Sequence, residues 1–298
     1  MKSVFCILFL FLVMFAYSSS AQKKQQPQSV LWKIQSPLSH KTSYLLGTLH
    51  LFGQAWITAH PKVDSLIKLS DIYICEVIAN NPNVHEQQPV KTPTHVKAKE
   101  LFGKNYDKVN QYFIKTTGEG LQENIDNDDD PAEVLKGMTY FLSQVIATQK
   151  GFKIAHDLMD NYLLKEAIAQ NKLTVQLDND KVPRSVATGN IIDDNKIKSI
   201  VNLVNIITDS ASINKVPELT ELNLYDKGKY SFNFTAADKR GEQIAKAITR
   251  NNFWMKKLPA YLIKGKVFIT VGAGHLDGKD GLLMQLKKRG YKVSPVNL

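Results

Sequence analysis

Two apolar runs in this chain, Ser43-Tyr44-Leu45-Leu46 and Val267-Phe268-Ile269-Thr270-Val271, each close on a Gly-x-x-His turn. The turns are Gly47-Thr48-Leu49-His50 and Gly272-Ala273-Gly274-His275. Each run reads as a buried strand. Glycine lets the backbone turn tightly at a strand end, and the histidine then stands where open α/β sheets keep their sites. Two imidazoles so alike in placement and so distant in sequence read as two halves of one site.

The remaining periodicity supplies the frame around them. Val30 to Ile34 and Tyr44 to Thr48, joined by a turn at Pro37-Leu38-Ser39, predict a β-hairpin. Pro61 opens a helix running to Leu69, since proline suits a first helical turn. Asp71 to Val77 and Leu173 to Asp178 predict strands that carry carboxylates, Glu76 and Asp178, at their ends. Between them Asn80 to Lys99 reads as a loop, and Ala132–Gln149 and Ile154–Gln170 show helical spacing. Helices are expected over much of 184–257, a core strand over Lys266–Val271, a helix over Gly281–Arg289 and a closing strand at Tyr291–Val293. Strands alternating with helices specify an α/β fold. Its expected form is a mixed central sheet with two pseudo-symmetric Gly-x-x-His halves and a helical insertion.

The first 21 residues stand apart from this frame. Lys2, an apolar stretch from Val4 to Tyr17 and the small residues Ser18 to Ala21 form a signal peptide, too short to span a bilayer. The chain is therefore expected to be exported, to a periplasm or beyond it, with residues 22–28 as a flexible arm and 29–298 as a single domain. No later stretch is long and apolar enough for a membrane helix. Only Cys75 lies outside the leader, which excludes a disulfide framework and a thiolate metal site. The net charge of +10 is spread as isolated lysines rather than gathered into a basic block with aromatics, so nucleic acid is not an expected partner.

The chemistry-bearing candidates gather at the strand ends. His50 and His275 with Glu76 or Asp178 form a His₂-carboxylate set, whose donors suit Mn²⁺, Co²⁺, Zn²⁺ or Fe²⁺. A water on such an ion turns acidic enough to attack a carbonyl, with a spare carboxylate as base. Asn251 falls on the apolar stripe of a helix expected from Asp238 to Leu258, and a buried amide there needs a specific partner. Arg250, at the edge of the stripe, could clamp a carboxylate or polarise a carbonyl. Three sharper motifs fail. His85-Glu86-Gln87-Gln88-Pro89 lacks the second histidine of a zincin helix, and the Gly272-x-Gly274 turn has Asp277 in place of a third glycine. The Asp126–Asp130 stretch has Pro131 where a calcium loop needs glycine.

These segments together resemble the TraB/GumN family, which includes the Tiki metalloproteases. The resemblance rests on Leu45 to His50, the strand ending in Glu76, the Arg250-Asn251 helix and Val271 to Leu276. Gly278, Gly281-Leu282-Leu283 and Gly290 to Val293 then continue the match. It implies an α/β fold whose two Gly-x-x-His halves meet at a divalent-metal peptidase centre, with manganese or cobalt favoured over zinc. By the same resemblance His50, Glu76 and His275 would be metal positions, Glu76 and Arg250 catalytic, and Asp160, Asp178 and Asn251 supporting. Two departures stand out. Asp178 replaces a usual glutamate, shortening its reach by about 1.5 Å, and the glycine usual before Met159-Asp160 is missing. The expected function is a metal-dependent peptidase acting on a peptide or protein. The alternative is a non-catalytic envelope protein that sequesters a peptide or haem.

Overall fold

The computed structural model describes residues 28–78, 96–122, 131–153, 158–178, 194–209, 217–234 and 242–298. The expected leader, most of the expected arm, the His85 segment and the Asp126–Asp130 stretch lie outside these residues. Six strands form one mixed sheet in the order β4-β3-β5-β2-β1-β6. Its strands are β1 (Leu31–Gln35), β2 (Thr42–Thr48), β3 (Ile72–Cys75), β4 (Leu173–Gln176), β5 (Val267–Gly272) and β6 (Lys292–Val296). The expected hairpin forms, with Trp32 opposite Leu45. The closing strand pairs antiparallel with β1 at the sheet edge, where Pro295 can do without a ladder hydrogen bond.

Strands β4, β3, β5 and β2 run parallel to one another. Both β3 (IYIC) and the first five residues of β5 (VFITVG) are buried throughout, as expected of parallel strands covered on both faces. The register brings their carboxyl ends level. Cys75 lies opposite both Gln176 and Thr270, and Thr48 lies opposite Gly272. Thus one rim carries the residues that follow four strands: His50 after β2, Glu76 after β3, Asp178 after β4 and His275 after β5.

Helices α1 (Gln54–Ala59) and α2 (Pro61–Lys68) connect β2 to β3. The insertion supplies α3 (Ala98–Phe102), α4 (Tyr106–Thr117) and α5 (Pro131–Gln149), followed by α6 (Met159–Ala169) leading into β4. Then come α7 (Asp194–Thr208), α8 (Pro217–Asp226), α9 (Glu242–Trp254), α10 (Leu258–Lys264) and α11 (Leu282–Lys288). Helices α3, α4, α5 and α7 share a second apolar cluster, including Phe102, Val109, Leu142 and Val204, apart from the main core built on the sheet.

Three expectations need adjusting. The helix expected from Ile154 is described only from Met159, and α1 had no sequence signal strong enough to separate it from the following turn. The helix expected to continue to Leu258 ends at Trp254, where the chain turns into α10 with Pro259 in its first turn. Within the expected helical region, Tyr230, Phe232 and Phe234 instead run irregularly. Their rings pack in tilted and edge-to-face contacts among themselves and against Trp32.

Two glycines make opposite predictions. A Cβ on Gly281 would sit 2.3 Å from the Asp277 carbonyl oxygen and 2.4 Å from that of Leu276, both rigid backbone atoms. Gly137 lies exposed within α5, with nothing within 4 Å of such a Cβ. Urea denaturation should show Gly281→Ala losing about 3 kcal/mol or more. Gly137→Ala should instead gain about 0.5–1 kcal/mol from helix propensity.

Candidate functional site at the carboxyl rim of the sheet

The rim is organised around one guanidinium. Helix α9 lays Arg250, Asn251 and Trp254 over the strand ends. Arg250 donates from Nη2 to Glu76 Oε2 at 2.6 Å and to Asp178 Oδ2 at 2.8 Å, and from Nε to Asp178 Oδ1 at 3.3 Å. The Asp178 side chain is only 1% exposed, so it depends on this partner and on Trp254, whose indole Nε1 donates to Oδ1 at 2.7 Å. Arg250 also lies over the Trp254 ring, 4.6 Å from its centre, as the i,i+4 spacing along α9 allows. Burial by itself would lower the Arg250 pKa, but Glu76 and Asp178 outweigh it and hold the guanidinium above its usual range.

Glu76 is held from the other side as well. Its Oε1 accepts the backbone N–H of Gly272 at 2.6 Å, which ties the end of β3 to the end of β5. The peptide N–H of Asp178 donates to the Glu76 carbonyl, so the two carboxylates emerge side by side.

His275 occupies a short 3-10 turn (Ala273–His275) directly after β5. Its Nδ1 contacts Asn251 Oδ1 at 2.7 Å, and its Nε2 contacts Arg250 Nη1 at 3.0 Å. A guanidinium can only donate, so Nε2 is the acceptor and Nδ1 carries the proton. Asn251 Nδ2 returns a bond to the His275 carbonyl at 3.0 Å, giving the buried amide the specific partner expected of it. Burial lowers the His275 pKa to about 4; Glu76 opposes that shift and Arg250 adds to it. The ring is neutral at pH 7.

His50 has a different setting. Its side chain is 59% exposed, and Nδ1 lies 2.6 Å from Asp160 Oδ2. Asp160, on the first turn of α6, also accepts the Thr48 hydroxyl at 2.6 Å through Oδ1. His50 opens onto a cleft of about 540 Å³ between the sheet rim and helices α5, α7 and α8. The turn Gly272-Ala273-Gly274 lines the same cleft, with His275 buried beneath it.

The expected residues thus assemble as two neighbouring groups. Glu76, Asp178, Arg250, Asn251 and His275 form one, and His50 with Asp160 the other. The expected ligand triad of His50, Glu76 and His275 does not form a three-donor cluster: among the described residues, no three His, Cys, Asp or Glu side chains are grouped to hold a metal ion. His50 lies against Asp160 instead, while Glu76 and His275 each accept a hydrogen bond from Arg250. Trp254 and Thr48 were not singled out from sequence. Trp254 lies four residues after Arg250 on one helix face, and Thr48 lies inside the first motif, so both carried a local signal.

The sequence profile of the TraB/PrgY/gumN family matches residues 30–295, nearly the whole chain and every residue of this rim. The chain belongs to that family. No curated protein matches it significantly. No described helix is long and apolar enough to cross a membrane.

Two measurements probe the rim. Arg250→Met leaves the buried Asp178 carboxylate without its countercharge and should cost about 3–5 kcal/mol. Arg250→Lys should recover only part of this, because an ammonium cannot bridge both carboxylates in a fork. For His275, the unfolded imidazole binds a proton near pH 6.5 and the folded one only near pH 4. Between those values the unfolded state holds more protons, so stability falls as the pH drops, levelling off below about 4 with a loss of about 3 kcal/mol. Thermal melts in chelator from pH 7 to pH 4 should show this slope, and His275→Gln should flatten it.

Proposed function

We propose that this protein is a metal-dependent hydrolase, and specifically a peptidase, that works where the sheet rim opens into the cleft. The single observation that supports this most is the pairing of Glu76 with His275. Their Oε1 and Nε2 atoms are 3.6 Å apart. That is close to the spacing of two ligands about 2.1 Å from one tetrahedral ion. The Nδ1–H of His275 is committed to Asn251, the outer hydrogen bond that metal-ligating histidines characteristically make.

Glu76 and His275 would hold a divalent cation, manganese or cobalt before zinc, with Arg250 Nη1 giving up its contact to His275 Nε2, and the cation would supply Lewis acidity toward a peptide carbonyl. The protein's own residues do the rest. His50, backed by the Asp160 carboxylate, takes a proton from the attacking water and returns it to the leaving amine. Thr48 fixes Asp160 for that task. Arg250 is a positioning residue in this reading, since its other donors go to Glu76 and Asp178 rather than to the cleft. The two Gly-x-x-His turns are read as equivalent halves that have diverged, one buried toward the cation and one open toward solvent. The leader over residues 1–21 would deliver the folded 29–298 unit to a periplasm or to the outside.

The test is a peptide-library cleavage screen of the full mature chain with Mn²⁺, Co²⁺, Zn²⁺ or chelator, combined with elemental analysis. The expected result is cleavage that chelator abolishes. Glu76→Gln and His275→Ala should reduce bound metal, whereas His50→Ala should retain metal and lose about 10²-fold or more in kcat. Tight peptide binding without turnover in any metal would instead support sequestration and overturn the hydrolase reading.

A further inference from the structure

The cleft carries a charge pattern opposite to that of the chain around it. The protein has a net charge of +10, yet no lysine or arginine is among the described residues lining the cleft, while Glu221 and Asp277 are. Its hydroxyls add to this bias. Thr139 and Ser143 donate to carbonyls one turn back in α5, Tyr225 donates to the Gly47 carbonyl, and Thr48 donates to Asp160. With their protons committed inward, these four oxygens can offer only lone pairs to anything in the cleft. Ser199 and Asn202 of α7 also line it. Beside this acceptor-rich surface lie apolar groups: Ile146 of α5, Leu203 and Ile206 of α7, and Leu222 of α8.

We infer that the cleft selects peptides bearing a cationic side chain, an amine or guanidinium, next to apolar residues, with Glu221 and Asp277 reading the charge. This rests on the cleft being the substrate site of the proposed hydrolase, and it names that substrate's class. Nonspecific attraction by the protein as a whole runs the other way, because a cationic surface favours acidic peptides. A preference for a cationic peptide therefore has to come from the cleft itself. Glu221 is exposed on α8, while Asp277 Oδ1 also accepts the backbone N–H of Asn233. Glu221 is accordingly the residue to vary without disturbing that turn.

The experiment is calorimetric titration of the full mature chain, in chelator to prevent turnover. The probes are capped pentapeptides Ala-Leu-Xaa-Leu-Ala with lysine, norleucine or glutamate at the centre. The lysine peptide should bind about 3- to 10-fold more tightly than the norleucine peptide, and the glutamate peptide most weakly, with the difference shrinking in high salt. Glu221→Gln should narrow the lysine preference, and Glu221→Lys should reverse it. Equal affinities for lysine and norleucine, a preference untouched by Glu221→Lys, or no binding of any peptide would each overturn the inference. So would competition by a free alkyl diamine as strong as that of the lysine peptide, which would assign the site to small amines. The readout is binding alone, so charge-selective binding without hydrolysis would fail only the hydrolase reading. Metal-dependent cleavage indifferent to charge would fail only this one.

Discussion

One guanidinium holds the functional end of this fold together. Parallel strands β3 and β4 deliver Glu76 and Asp178 to adjacent positions, where two like charges in a partly buried setting would repel each other and lose hydration. Arg250 removes that conflict by bonding to both, and Trp254 gives Asp178 a further donor. Since Glu76 also accepts the Gly272 N–H, the same cluster joins β3, β4, β5 and α9. A buried ion group of this kind is seldom a net source of stability; its effect is to make one arrangement much better than its competitors. Here it dictates where the second Gly-x-x-His turn lies and which nitrogen of His275 faces the carboxylates.

A division between a dry sector and a wet one follows. His275 is buried, neutral and bonded at both ring nitrogens. His50, in the other copy of the motif, is exposed beside Asp160 and faces the cleft. Gly47 shows how closely the two turns are packed: a Cβ there would come within 2.7 Å of Leu276 and 3.2 Å of the Ala273 backbone. The absence of a side chain at Gly47 lets the turns after β2 and β5 share one rim, although their register differs by one residue, Gly47 pairing with Val271. Cys75, just below this rim, is a core residue whose thiol burial pushes up to about 12, which keeps it unreactive beside the carboxylates.

Much of this was legible in the amino-acid order. Unbroken apolar runs marked β3 and β5, and glycines marked where β2 and β5 had to turn, because local sterics decide both. Glu76, Asp178, His50 and His275 stood out as polar residues ending such runs, and Asn251 as an amide on an apolar stripe. What sequence could not supply was partnership. Arg250 could be read as a clamp for a substrate, yet its carboxylates belong to the protein and lie 174 and 72 positions away along the chain. His50 and His275 looked equivalent because their local motifs are equivalent.

The order of residues by itself therefore determined the layered α/β class, the strand ends and the kinds of chemistry carried there, since these depend on neighbours a few positions apart. The parallel pairing of β3 with β4 and β5, and the descent of α9 onto their ends, decided the rest. Only those long-range contacts separate a buried imidazole facing Glu76 from an exposed one facing Asp160, because burial and the charges nearby are properties of the assembled rim and not of any segment.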